Sequence, residues 1–242
     1  IFSIPLNTFI IYIYIYMKKV GICSLFFYLQ DRCPCGKCYS KSVVNNTYIN
    51  MIESIGAIPI IIPVTDNINC LKEYINMIDV LLICGNKKHI QNNIIPDNIE
   101  KNELIQDIIH ERDTILLDLA IKNKKKVIGI CYGMQFINSF LNGTIYLNIK
   151  DDLHKNNHFD TNHDIIIKKN KLLNELLKID KIYVNSFHYA GILEDNLSKK
   201  LTISSISEDN IIESFESELL YGFQFHIELL KEYYFIIKKI IN

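Results

Sequence analysis

The chain contains no tryptophan, five prolines and nine glycines in 242 residues, and almost no net charge (−1). Each shortage excludes something. A balanced charge removes the bulk electrostatic case for binding nucleic acid or an anionic membrane. The lysine clusters at 124–126 and 238–239 adjoin apolar runs and read as solvated ends. No low-complexity linker, internal repeat or second-domain boundary is visible. No phosphate-binding loop, dinucleotide glycine fingerprint or kinase motif occurs. The missing tryptophan accompanies an excess of Ile, Asn and Lys, which is compositional bias and not a functional signal.

Cysteine is present in an odd number, seven. A fully paired framework within one chain is excluded, and a reducing, cytoplasmic setting is the expectation. A long apolar span is also lacking. Residues 1–16, "IFSIPLNTFIIYIYIY", are apolar and uncharged. They fall short of the about 20 residues a spanning helix needs, and they lack the basic start and cleavage site of a signal peptide. They are expected to be a non-native or disordered upstream extension, with Met17 as the start and 17–242 as one domain. An extra edge strand is the alternative.

Apolar material is ample at 49%, against 22% charged residues, as in a soluble globular protein. Apolar runs of strand length recur at 18–26, 58–64, 79–85 and 126–133, with helix-period segments at 42–56, 67–78 and 102–123. Nearly continuous apolar strands alternating with helices predict a parallel sheet covered on both faces. The second half reads as short strands, "HDIIIKK", "KIYVNSF", "KLTISSIS", "NIIESFES" and "LYGFQFHIE", before an amphipathic C-terminal helix.

Within that pattern, "GICYG" (129–133) places Cys131 between two glycines, after a strand and before a helix pattern. A nucleophile elbow requires that context. The glycines permit a sharp turn, and a helix N-terminus favours a thiolate. The Tyr132 N–H would face a developing oxyanion. These five residues alone leave a buried structural cysteine equally open, so a partner base must decide. In "YGFQFHIE", read as extended, His226 and Glu228 share a face. Glu228 can then fix the imidazole tautomer, as the third member of a triad does.

The ordered set "ERD", "GICYGMQFIN", "LNGTIYLNI", "HDIII", "KIYVNSFHYAG", "DNIIESFE" and "YGFQFHIE" resembles the class I glutamine amidotransferase-like family. Within it the chain is most similar to the gamma-glutamyl-gamma-aminobutyrate hydrolase (peptidase C26) branch, from about Met17 to Glu228. The resemblance implies a three-layer, flavodoxin-like α/β fold with a central, mostly parallel sheet. It implies a Cys131–His226–Glu228 triad, and oxyanion donors at Tyr132 and at Gly85 or Asn86 in "CGNKK". It implies a glutamyl pocket lined by Gln135 and by Ser186, Phe187 and His188 in "NSFHYAG". The chain departs from the family pattern where Tyr132 stands for an arginine, where Ile227 stands for a proline, and where "CGNKK" is poorer in glycine.

The function so implied is hydrolysis of a small gamma-glutamyl amide through a thioester on Cys131, with no cofactor. Two alternatives stand beside it. One is a glutaminase subunit feeding ammonia to a separate synthetase; the other is a catalytically silent binding or regulatory protein. A homodimer is compatible, and neither nucleic acid nor membrane is expected as a partner. No metal is expected: the Cys33, Cys35, Cys38 run lacks a second ligand pair. His154 and His158 read as loop residues, His163 as a position before a strand.

Overall fold

The structure, a computed structural model, describes residues 17–29, 39–85 and 99–242. The 1–16 segment, the Cys33–Cys38 run and Asn86 lie outside the described residues. The first half runs β1 (Lys19–Cys23), β2 (Leu25–Leu29), β3 (Tyr39–Val43), α1 (Asn46–Ser54), β4 (Ile58–Ile62), α2 (Ile68–Met77), β5 (Val80–Ile83) and α3 (Ile99–Lys122). There follow β6 (Lys126–Ile130), α4 (Tyr132–Phe140), α5 (Ile149–Leu153), β7 (Phe159–Ile167), α6 (Leu172–Leu177) and β8 (Lys181–Phe187). The chain ends with β9 (Thr202–Ser207), β10 (Ile212–Glu216), β11 (Leu220–Phe223) and α7 (Tyr234–Ile241).

Among the described residues, nine strands form one sheet in the order β4-β1-β5-β6-β11-β10-β9-β7-β8. From β4 to β11 every pairing is parallel. Beyond β11 the strands pair antiparallel. The β2–β3 hairpin stands apart; the apolar run at 18–26, which reads as one strand, breaks at Ser24 into β1 and the start of β2.

Side-chain alternation along the parallel strands builds three layers. Val80, Leu82, Ile128 and Ile130 face α1 and α7, through Met51, Ile52, Ile237 and Ile240. Leu81, Ile83 and Val127 face α2, α3 and α4, through Leu71, Leu116 and Met134. Asn45 and Asn67 cap α1 and α2 by accepting from the N–H groups of Thr47 and of Asn69 and Cys70.

The "ERD" segment lies inside α3. There the buried Arg112 donates to the carbonyl of Ser24 at 2.7 Å and that of Ile62 at 3.4 Å, and pairs with Asp113 at 2.8 Å. The guanidinium thus ties together the carboxyl ends of β1 and β4, and its own charge is compensated in the interior.

Candidate active site

In open α/β sheets, ligands bind beyond the carboxyl ends of the parallel strands. Three adjacent strands deliver the predicted residues to that edge: Gly85 follows β5, Cys131 follows β6, and His226 and Glu228 follow β11.

The elbow is built by what its glycines leave out. A Cβ on Gly129 would meet the Gly133 carbonyl, and a Cβ on Gly133 the Ile83 carbonyl. The turn therefore packs backbone against backbone. Between them Cys131 sits at φ 52°, ψ −104°, a conformation that costs about 1–3 kcal/mol for a residue with a side chain. Its N–H donates to Phe223 O at 2.7 Å and its carbonyl accepts from Gln135 N–H at 3.1 Å. The first-turn N–H groups of α4, Tyr132 and Gly133 among them, have no acceptor within the helix, and their dipoles favour negative charge beside the sulfur.

His226 is not in a strand. β11 ends at Phe223, and Ile227–Leu229 form a 3₁₀ turn with His226 at its N-cap. The expected extended path is thereby corrected. The pairing at i and i+2 arises in a turn instead, and His226 Nδ1 lies 2.6 Å from Glu228 Oε1. Both side chains are buried. The backbone is held by Asn185, whose side chain accepts from His226 N–H at 2.8 Å and donates to His226 O at 3.0 Å. The Phe187 ring meets the imidazole edge-on at a centroid distance of 5.8 Å.

Nδ1 donates to Glu228, which leaves Nε2 as the ring nitrogen on the side of Cys131. Nε2 is buried and makes no hydrogen bond of standard geometry, while Cys131 stands close enough to influence its proton. Burial pushes the imidazolium down, but hydrogen bonding and charge from Cys131 and Glu228 outweigh that and raise it to about 10.

Gly85 completes the constellation. A Cβ there would stand 2.8 Å from His226 Cε1 and 3.4 Å from Cys131 Cβ, so only glycine lets the turn close over both. Its N–H, expected as an oxyanion donor, instead donates to the Tyr48 hydroxyl at 3.0 Å. Burial, and then the charge of Glu228, push the Tyr48 hydroxyl well up, so it stays protonated beside that carboxylate.

The other predicted residues are engaged with protein. The Gln135 amide donates to Ala190 O at 3.1 Å and to Gln224 Oε1 at 3.0 Å. Ser186 Oγ donates to His158 O at 2.7 Å. His188 is buried, with Nδ1 2.9 Å from the Ala190 carbonyl and Nε2 turned toward Glu213. The Tyr132 ring stacks on Phe136 at 5.8 Å, and the residue is half-buried. Tyr48 and Asn185 were missed as site residues. Asn185 lay inside a quoted motif, but Tyr48 reads only as part of an apolar helix stripe.

A sequence model of the Peptidase C26 family matches residues 20–228. The chain belongs to the Peptidase C26 family. At the level of the family this makes it a cysteine-type hydrolase of carbon–nitrogen bonds. Protein NtpR of Enterococcus hirae is 26% identical over 197 residues, covering 75% of this chain and 80% of its own. Among solved structures, the glutaminase domain of Trypanosoma brucei CTPS with bound acivicin superposes with a TM-score of 0.62 at 13% identity, covering 91% and 92% of the two chains. A glutamine amidotransferase from Thermotoga maritima gives 0.58 at 14% identity, covering 93% and 85%. These likenesses show the class I glutamine amidotransferase fold. Among the described residues, no helix is long and apolar enough to cross a membrane.

Proposed function

We propose that the chain hydrolyses gamma-glutamyl amides through a thioester on Cys131. The observation that carries this reading is the pairing of a strained, buried cysteine with a buried His226 whose Nδ1 is fixed by Glu228 at 2.6 Å and whose Nε2 makes no hydrogen bond of standard geometry. The Cys131 thiolate attacks the amide carbonyl and forms the S–C bond. The oxyanion is stabilised by N–H groups at the start of α4, Tyr132 first. Collapse breaks the C–N bond as His226 gives its Nε2 proton to the departing amine. Water then attacks the thioester, His226 takes its proton, and the C–S bond breaks to restore the thiolate.

The Gly85 N–H can join the oxyanion hole only if Tyr48 releases it, so the first turn of α4 is the principal donor in this reading. Phe187, set against the catalytic ring, and Tyr189, stacked on Phe159 at 4.4 Å, present aromatic surface suited to an organic amine.

The test is kcat/KM for a panel of gamma-glutamyl amides and for glutamine, on the isolated chain. An aliphatic or aromatic gamma-glutamyl amide should be turned over faster than glutamine. A preference for glutamine, or activity only with a second protein, would replace this reading by the ammonia-supplying subunit. No turnover, with Cys131 inert to a glutamine-like alkylating agent, would replace it by the silent scaffold.

A further inference from the structure

On the antiparallel side of the sheet, three imidazoles, one on β7, one just before it and one just after β8, converge on one fully buried carboxylate of β10. Glu213 Oε1 lies 3.3 Å from His163 Nε2, 3.6 Å from His158 Nδ1 and 3.6 Å from His188 Nε2. All of these atoms, and Glu213 Oε2, are buried without a hydrogen-bond partner of acceptable geometry. Unpaired buried polar groups are costly, and several in one place call for an explanation.

Proton accounting sharpens the point. His158 Nε2 faces both oxygens of Asp209 at 3.3 and 3.2 Å. Asp209 in turn accepts from Ser207 Oγ at 2.6 Å and Asn156 N–H at 3.0 Å. A carboxylate only accepts, so His158 carries its proton on Nε2 and leaves a lone pair on Nδ1. His188 Nδ1 lies 2.9 Å from the carbonyl of Ala190, so it too is protonated there and bears a lone pair on Nε2. Both lone pairs then point at a carboxylate oxygen. Extra protons between them would make hydrogen bonds, but 3.6 Å is too long for those.

We propose that His158 Nδ1, His163 Nε2 and Glu213 Oε1 bind a first-row divalent transition ion, zinc foremost, with His188 Nε2 as the fourth donor in reach. Bonds of about 2.0–2.2 Å in a tetrahedron place donor atoms roughly 3.3–3.5 Å apart, close to the separations from Glu213 Oε1. Imidazole and carboxylate donors suit zinc. Asp209 and the Ala190 carbonyl, on the far nitrogens of His158 and His188, are the outer partners that orient metal-bound histidines. A cavity of ≈ 180 Å³ beside His158, His163 and Asp209 supplies a way in.

The site uses only protein donors, so its role is structural. The His158 carbonyl accepts from Ser186 Oγ and His188 N–H, and the neighbouring Asn185 holds His226. The metal would therefore stiffen the strand that positions the base. This inference does not depend on the substrate.

The experiment loads the full chain with zinc, removes excess by desalting, and measures metal by mass spectrometry and affinity by chelator competition. One equivalent per chain is expected. Asp209→Asn should weaken zinc by about 10–100-fold, and His163→Ala or Glu213→Gln by more. His163 is partly exposed, so His163→Ala is the variant best placed to keep the fold, checked by circular dichroism. The cobalt-loaded protein should show tetrahedral visible bands without a sulfur-to-cobalt charge-transfer band. No retained zinc would overturn the proposal. So would zinc that survives His163→Ala in the folded protein but is lost when Cys33, Cys35 and Cys38 are changed to serine.

Discussion

Replacing Glu228 by glutamine tests the proposed roles of the triad most directly. The amide keeps the size and removes one charge. Two neighbours then compete for it, His226 Nδ1 at 2.6 Å and the Tyr48 hydroxyl. The Tyr48 oxygen already accepts from Gly85 N–H at 3.0 Å, so its single proton is free to point at the side chain of residue 228. It will take the amide oxygen and leave the NH₂ group facing His226. Nδ1 must then accept, which moves the imidazole proton to Nε2, and a protonated Nε2 cannot receive the thiol proton. Removing the charged partner of a buried pair costs about 3–5 kcal/mol. With the wrong tautomer added, the expected loss is about 10⁴ in rate, or roughly 5.4 kcal/mol at 1.36 kcal/mol per decade. His226→Ala removes the proton carrier itself and should cost about 10⁶. The assay is kcat/KM on a chromogenic gamma-glutamyl anilide. In parallel, iodoacetamide labelling is followed peptide by peptide, because the exposed Cys70 reacts as well. A Glu228→Gln loss below tenfold, or one larger than that of His226→Ala, would refute the assignment.

The pH dependence of stability follows from His226. Its folded value of about 10 lies above the ordinary ~6.5, so its stabilising contribution is complete below pH ~6.5 and is lost as pH rises through about 10. Thermal melts from neutral to alkaline pH should fall across that window, and fall less in Cys131→Ala; an undiminished fall would count against a coupled pair. Gly133→Ala drives a Cβ into the Ile83 carbonyl, whose carbon would stand at 2.9 Å. Overpacking of about 1–3 kcal/mol should lower Tm by roughly 2–4 °C per kcal/mol in a chain of this size, and an unchanged Tm would show that the elbow is looser than drawn. Asn185→Ala leaves the buried His226 N–H unpaired, at about 1–3 kcal/mol. It should lower kcat more than it raises KM and shift the pH profile of Cys131 labelling, whereas a purely structural residue would leave that profile in place.

The parallel half of the sheet was legible because its strands are apolar on both faces. The runs at 58–64 and 79–85 became β4 and β5 within a few residues, since Val80 to Ile83 are all buried. The strands of the second half were legible from shorter alternation, and β8 falls on 181–187 as read. The β2–β3 hairpin was not legible, because its two strands share no period and the segment between them has the composition of a loop. Cys131, His226 and Glu228 could be named from local spacing, as each sits in a short patterned segment. Tyr48 and Asn185 act through partners 37 and 41 residues away, and no local pattern records such a contact. The Glu213 cluster was missed for the same reason. Its histidines sit on β7, just before β7 and just after β8, and only antiparallel pairing brings them to β10.

The misreading at 224–228 explains how this chain manages without a proline at 227. "FQFHIE" alternates like a strand, but Gln224, His226 and Glu228, which would form the wet face, are buried along with Phe225 and Ile227, which an alternation with one wet face would not produce. The buried Ile227 draws the backbone inward and starts the 3₁₀ turn, and that turn brings Glu228 round to Nδ1. A proline would restrict the residue before it to extended or polyproline geometry. Here Asn185 supplies the restraint by bonding both the N–H and the carbonyl of His226. The direction of the imidazole is therefore set from β8 and not from its own successor in the chain. A substitution at 227 that kept its volume would leave the imidazole in place, while one at 185 would release it.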